Sequence, residues 1–240
     1  MERLVLSPRE LKYLIDHGKL VGKGVEGSVF TYQNRLIKLD NILYNLLKNH
    51  SIEDADKWVS YRYLGGKEYF NDPDQIDFLS NNQKDIHLTK LPHGIIELKG
   101  MGIIPGIIIP YHRNYQKLET LSKQDLEKVL PILKKLLLAV RELEKHKISH
   151  EDLYHPEGNG KVNYNIMYKD KTPQLIDVSG PDVTYGRNYR DARSMYIELG
   201  QVIIDYFEGN GYPHSFDRWY TDTFEKNEKL IEELAKQARK

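Results

Sequence analysis

No cysteine occurs in the chain, which excludes a disulfide scaffold, a thiolate metal site and a cysteine nucleophile, and suits a reducing compartment. Net charge is absent too. The 35 lysines and arginines balance 35 aspartates and glutamates, so no overall field gathers nucleic acid or an anionic membrane, and neither is expected as a partner. Long apolar runs are also missing. The most apolar segment, residues 102–110, is far shorter than the ~20 residues that span a bilayer, and residues 1–10 have no secretory-signal pattern. There is no internal repeat, low-complexity tract or coiled-coil pattern. These absences lead to the expectation of a soluble, cytoplasmic protein, and its 240 residues permit one sizeable core or two small ones.

Local signals then divide the chain. Ser7 and Glu10, with Pro8 between them, have the form of a capping box. They predict a short helix with Leu11, Leu14 and Ile15 on one face and an end near His17 and Gly18. Residues 20–39 predict strand, glycine-rich turn, strand, a turn at Gln33-Asn34, and a third strand. Residues 41–80 read as mainly helical with weak periodicity. Gly94 to Leu98 and Gly106 to Ile109 predict strands, with a turn starting at Lys99-Gly100.

From Ser122 to Lys145 the apolar positions 126, 129, 130, 133, 136, 137, 140 and 143 keep helical spacing and predict a long helix. A hairpin around Asp170-Lys171 and helices over 192–207 and 224–238 follow. The order is a β-rich first part, a connector near 110–116 and a helical second part.

Gly22-x-Gly24-x-x-Gly27 is by itself a weak signal. Dinucleotide-binding folds use the same spacing, and plain hairpin glycines beside a solvated strand lysine would produce it as well. A dinucleotide site needs a helix directly after the glycines, whereas a β-rich run follows here. Extended through Val29 to Leu36-Ile37-Lys38, the pattern resembles the phosphate-covering hairpin and strand lysine of the protein-kinase-like family. Glycines let the backbone approach phosphate oxygens, and an ammonium neutralises them.

Downstream, His150-Glu151-Asp152-Leu153 follows the long helix, Asn165 precedes an apolar strand, and Leu175-Ile176-Asp177 ends another. This order is similar to the family's His-x-Asp-Leu, its metal-binding asparagine and its metal-binding aspartate. The resemblance covers roughly residues 20–207 and is to small, atypical Ser/Thr kinase-like proteins of bacterial or phage type.

The resemblance implies an α+β, bilobal protein-kinase-like fold. A β-rich N-lobe with an antiparallel sheet would span residues 1–111, and a mainly helical C-lobe residues 112–240. ATP and Mg²⁺ would bind between the lobes. Gly22, Gly24, Val25, Gly27, Val29 and Lys38 would cover the nucleotide, Ile109 would be the gatekeeper, and Pro110 and His112 would meet the adenine. Asp152 and Lys38 would be the catalytic residues, the first orienting the acceptor hydroxyl.

Asn165 and Asp177, at the two ends of a predicted hairpin, would hold the metal. Asn159 is a second candidate for the asparagine, but Asn165 alone is followed by an apolar strand. Asp74 or Glu68 would pair with Lys38. Asp191, at the start of a large helix, would tie down the catalytic loop, although a plain N-cap would look the same.

The departures from the pattern concern the acceptor. Glu151 replaces an arginine that reads activation-loop phosphate, and Tyr154 stands where protein-serine kinases place a lysine. About a dozen residues separate Asp152 from Asn165, the metal motif reads Asp-Val-Ser-Gly, and 13 residues lie between Asp177 and Asp191. The leading expectation is transfer of the ATP γ-phosphoryl group to a protein hydroxyl. The alternatives are a small-molecule kinase similar to aminoglycoside or choline phosphotransferases, and a pseudokinase that binds nucleotide or a partner without turnover.

Overall fold

A computed structural model describes residues 1–24, 27–64, 70–111, 113–150, 152–156, 162–178, 183–186, 189, 191–208 and 221–239. The chain divides into two compact units, Met1–Gln83 with Leu91–Tyr111, and Lys84–Lys90 with His112–Lys240. Residues 84–90 thus belong with the second unit, outside the expected boundary at 111.

The first unit opens with strand β1 (Glu2–Leu6) and helix α1 (Pro8–His17). The capping box forms: the Glu10 N–H donates to Ser7 Oγ at 3.3 Å and the Ser7 N–H donates to Glu10 Oε2 at 2.7 Å. The Ser7 N–H and, at 2.8 Å, the Ser7 hydroxyl both donate to Glu10 Oε2 and hold this carboxyl below its ordinary range. Strands β2 (Lys19–Lys23), β3 (Gly27–Tyr32) and β4 (Arg35–Asp40) follow. Gln33 and Asn34 join the last two with φ of 48° and 63°, the left-handed pair that suits the twist of a two-residue hairpin.

Helices α2 (Asn41–Asn49), α3 (Ala55–Tyr63) and α4 (Pro73–Asn82) occupy the segment whose periodicity was weak, and strands β5 (Gly94–Leu98) and β6 (Ile103–Ile109) close the unit. β6 starts at Ile103 rather than Gly106.

These strands form one six-stranded sheet in the order β1-β5-β6-β4-β3-β2. The expectation of an antiparallel sheet is corrected at one edge. β1 lies parallel to β5, with Leu4 opposite Ile96, so the sheet is mixed. A parallel pair requires a long connection, and here nearly the whole unit intervenes between the two strands. Salt bridges from Arg35 to Glu2 at 2.7 Å and from Arg3 to Glu97 at 3.2 Å fix the added strand. Residues 2–6 are too short and too charged to read as a strand unaided.

Side chains alternate across the strands, so Phe30, Ile37 and Leu39 point to a core shared with Leu11, Ile15, Leu43, Leu47 and Val59, while Lys38 projects from the opposite face. Gly106 permits the close approach of β4, since a Cβ there would sit 2.6 Å from the Lys38 carbonyl oxygen.

The second unit contains strand β7 (Gln116–Lys117), the long helix α5 (Leu126–Lys145) and strands β8 (Ile148–His150), β9 (Tyr154–Pro156), β10 (Val162–Tyr164), β11 (Ile166–Lys169), β12 (Thr172–Leu175) and β13 (Val183–Tyr185). Helices α6 (Arg193–Glu208) and α7 (Phe224–Gln237) complete it. α5 begins at Leu126, later than Ser122, and buries Val129, Leu133, Leu136, Leu137, Val140 and Leu143 along one stripe.

The expected hairpin is β11–β12, turning through Asp170 at φ 55°. Two short antiparallel pairs, β9–β10 and β8–β13, carry no clear sequence pattern. Buried Asn227 fixes α7 by donating to the carbonyls of Thr221 at 2.8 Å and Tyr196 at 3.0 Å. Among the described residues no helix is long and apolar enough to cross a membrane.

Candidate functional site

In the first unit the glycine turn and the strand lysine meet. Lys38 stands in mid-β4 opposite Val29 on β3 and Ile107 on β6, and is only 6% exposed. A Cβ on Gly27 would lie 2.9 Å from Lys38 Cγ and 3.0 Å from Phe70 Cζ, so this glycine clears space for the lysine stem. Gly22 and Gly24 differ. Among the described residues a Cβ at Gly22 would meet nothing within 4 Å, and one at Gly24 only the Gly27 oxygen at 3.7 Å. Neither has a positive φ. Packing and backbone angle therefore give no reason for glycine at 22 or 24, which is the situation expected where something outside the chain approaches the backbone.

The turn closes through the Gly24 N–H, which donates to the Gly27 carbonyl at 2.9 Å. At its base Asn41, the first residue of α2, donates from Nδ2 to the Gly24 carbonyl at 3.2 Å and accepts the Ser28 hydroxyl at 2.7 Å. One turn further along α2, Asn45 accepts from Lys23 Nζ at 3.1 Å. Asp40 joins the two elements. Its Oδ1 accepts the Ile42 and Leu43 N–H groups as N-cap, and its Oδ2 accepts from Arg62 Nε at 2.9 Å. That hydrogen bond from Arg62 raises the guanidinium pKa further.

Ile109 ends β6 opposite Leu36, with Pro110 directly after it, where its missing N–H leaves the strand pairing intact. Asp74 lies exposed in the first turn of α4 with its N–H on Asp72 Oδ1 at 3.0 Å. Val25, Glu68 and His112 lie outside the described residues.

In the second unit two of the expected residues, Asp152 and Asn165, meet, and the chain brings a third, Asp177, in behind them. Asn165 donates from Nδ2 to the Asp152 carbonyl at 2.6 Å and to Asp152 Oδ2 at 2.9 Å. The backbone joins the same residues: the Asn165 N–H donates to the Leu153 carbonyl at 3.2 Å, and the Ile176 N–H donates to the Asn165 carbonyl at 2.9 Å. The β11–β12 hairpin thus returns the chain so that Asp177 follows a residue bonded to Asn165. Asp177 has φ 59°, a left-handed conformation that costs a non-glycine residue about 1 kcal/mol or more. His150 Nε2, as donor, bonds the Ile176 carbonyl at 2.9 Å and so links β8 to the residue before Asp177.

The sequence does not identify two further contacts. His155 Nδ1 lies 3.4 Å from Asp152 Oδ1, on the side of the carboxylate that Asn165 leaves open. Glu198 on α6 accepts the buried N–H of Leu153. The segment that carries Asp152 is therefore tied by Glu198, whereas Asp191 accepts from the Arg193 N–H at 2.9 Å at the start of α6. A capping aspartate is legible in sequence, but a glutamate in mid-helix looks like any solvated one.

At the β9–β10 pair Tyr154 stacks on Tyr164, whose hydroxyl donates to Asp205, and Lys123 pairs with Asp205 at 2.7 Å. Burial first, and then the Asp205 hydrogen bond, push the Tyr164 pKa up. Glu151, Asn159, Ser179 and Gly180 lie outside the described residues.

The donor set suits a small hard cation. Asn165 donates to Asp152 through its side-chain nitrogen, which leaves the side-chain oxygen Oδ1 to accept, and Asp177 is the second candidate ligand. No group of three or more His, Asp or Glu among the described residues could hold a metal by itself. No protein-family model matches the chain, and no curated protein matches it in sequence.

Proposed function

We propose that the protein is an ATP-dependent phosphotransferase of protein-kinase-like architecture, acting in the cytoplasm on a hydroxyl acceptor. The observation that carries this reading is the double hydrogen bond from Asn165 to Asp152, made at the hairpin end where Asp177 follows. A carboxylate held by an amide whose oxygen stays available, next to a second carboxylate, is the set phosphoryl transfer requires: one group to orient the attacking hydroxyl and two to hold Mg²⁺. The sheet order β5-β6-β4-β3-β2 supports the N-lobe reading, and glycines at 22 and 24 that no packing among the described residues requires support a phosphate approaching there.

In this reading the Lys38 ammonium neutralises the inner phosphates and Ile109 and Pro110 border the adenine. Asp152 takes up the acceptor proton, and Asn165 and Asp177 hold Mg²⁺, which screens charge on the phosphates. The acceptor is a protein serine or threonine. A small-molecule hydroxyl is the second reading, favoured by β13, which pairs with β8 soon after Asp177 and leaves little chain for docking a peptide.

The test is thermal melting with and without Mg-ATP for wild type and Asp177→Ala. At ~100 times the dissociation constant a ligand stabilises by ~2.7 kcal/mol, a shift of several degrees. A magnesium-dependent shift that shrinks in the variant is the expected result. No shift at millimolar ATP would sink the reading.

A further inference from the structure

We infer that helix α2 is a clamp that positions the glycine turn, with Asn41 as the positioning residue and Asn45 as a second tether. The inference rests on the phosphotransferase reading for its functional meaning, but its geometry lies wholly within the first unit. Asn41 is the first residue of α2, whose cap, Asp40, ends the strand that carries Lys38. The Gly24 carbonyl can only accept, so the Asn41 atom facing it must be the amide nitrogen; the Asn41 oxygen then receives the Ser28 hydroxyl.

One side chain thus bridges the two sides of the turn, Gly24 before it and Ser28 after it. Ser28 is fully buried and Asn41 half-buried, so the hydroxyl end of this bond is shielded from water, and the two bonds together favour one orientation of the Asn41 amide. Asn45 lies four positions along the same helix face and takes the ammonium of Lys23, a residue of the preceding strand.

This arrangement has a chemical consequence. Gly22 and Gly24 have no side chains to pack and would otherwise leave the turn with many backbone states. Anchoring the Gly24 carbonyl to the helix restricts the backbone at Gly24, and fixing a loop in its binding conformation raises affinity by lowering the entropy lost on binding. Because α2 starts where the Lys38 strand stops, the clamp sets the turn relative to the lysine stem that crosses Gly27. Asn41 and Asn45 therefore act on phosphate affinity through the turn and not on adenosine affinity.

The variant that isolates this is Asn41→Asp. It keeps an acceptor for Ser28 and a residue favourable at a helix N-terminus, but turns a carboxylate oxygen against the Gly24 carbonyl. Dissociation constants for Mg-ATP and for adenosine would be measured by calorimetry for wild type, Asn41→Asp and Asn45→Ala, with exchange of the Gly24 amide measured by NMR. Loss of one net hydrogen bond predicts Mg-ATP binding weakened about threefold to tenfold in Asn41→Asp, and adenosine binding within about twofold of wild type. Asn45→Ala, which removes only an exposed tether and leaves the fold intact, should change in the same direction by less.

The Gly24 amide, bonded to the Gly27 carbonyl, should exchange faster in Asn41→Asp while amides of β5 and β6 do not. Equal weakening for ATP and adenosine, or unchanged Gly24 exchange, would overturn the clamp. If wild type bound no nucleotide, the phosphotransferase reading would fail, and Gly24 exchange alone would still decide whether α2 holds the turn.

Discussion

Asn165 bonds Asp152 twice with one amide, at 2.6 Å to its carbonyl and at 2.9 Å to its carboxylate. The backbone and side chain of the proposed base are thus fixed by the same group, and only Oδ1, which faces His155 at 3.4 Å, remains to meet an acceptor. Asp152→Asn is expected to lower phosphoryl transfer by about a hundredfold or more, the usual effect of losing a general base, and to leave the melting shift with Mg-ATP near wild type. Incorporation of labelled phosphate into protein and release of inorganic phosphate are the measurements. Undiminished turnover would remove Asp152 from its role.

The glycines should separate by function. Gly22→Ala and Gly24→Ala add a methyl group into open space at unstrained backbone angles, so the ligand-free melting temperature should hold or rise slightly while Mg-ATP affinity falls. Gly27→Ala drives a methyl group into the Lys38 stem and should cost about 1 to 3 kcal/mol before any ligand is added. Paired melting and binding measurements on the three variants distinguish a ligand-facing glycine from a packing one.

Glu198 can be tested by the same logic of a removed acceptor. Glu198→Ala leaves the buried Leu153 N–H without its carboxylate and should lower stability by about 1 to 3 kcal/mol, whereas Glu198→Gln keeps an acceptor and should lose less. Denaturant titration gives the difference. Equal effects of both variants would mean that the charge, and not the acceptor, matters.

Below pH ~6.5 the first unit should lose stability through His93. Burial lowers the pKa of this imidazole, against the pull of Glu2 at 3.8 Å. Its folded pKa therefore lies under the unfolded one, and in the interval between them the unfolded chain binds more protons. Stability in that interval rises with pH and falls as acid is added. His93→Gln should flatten this part of a stability profile taken from pH 5 to 7, and a slope that survives the substitution would assign it to other groups.

Much of the first unit was legible in sequence because its signals are local. A capping box needs only Ser7 and Glu10, and a two-residue turn needs only Gln33 and Asn34 at positive φ. The hairpin that follows Asn165 and precedes Asp177 needed only the turn at Asp170 and the two short strands beside it. The edge strand β1 was not legible, because five residues containing two charges pair with β5 only through partners near residue 95.

The sequence alone determined which chemistry is available: no thiol, no net charge to draw a polyanion, a glycine turn before a strand lysine, and an aspartate, an asparagine and a second aspartate in fixed order. Tertiary structure alone decided what holds those groups. Glu198 reaches the Leu153 amide across 45 residues, and Asn41 reaches Gly24 across 17. The physical reason is that a hydrogen bond is specified by distance and direction in space, and Glu and Asn look alike in sequence whether they meet water or a buried amide.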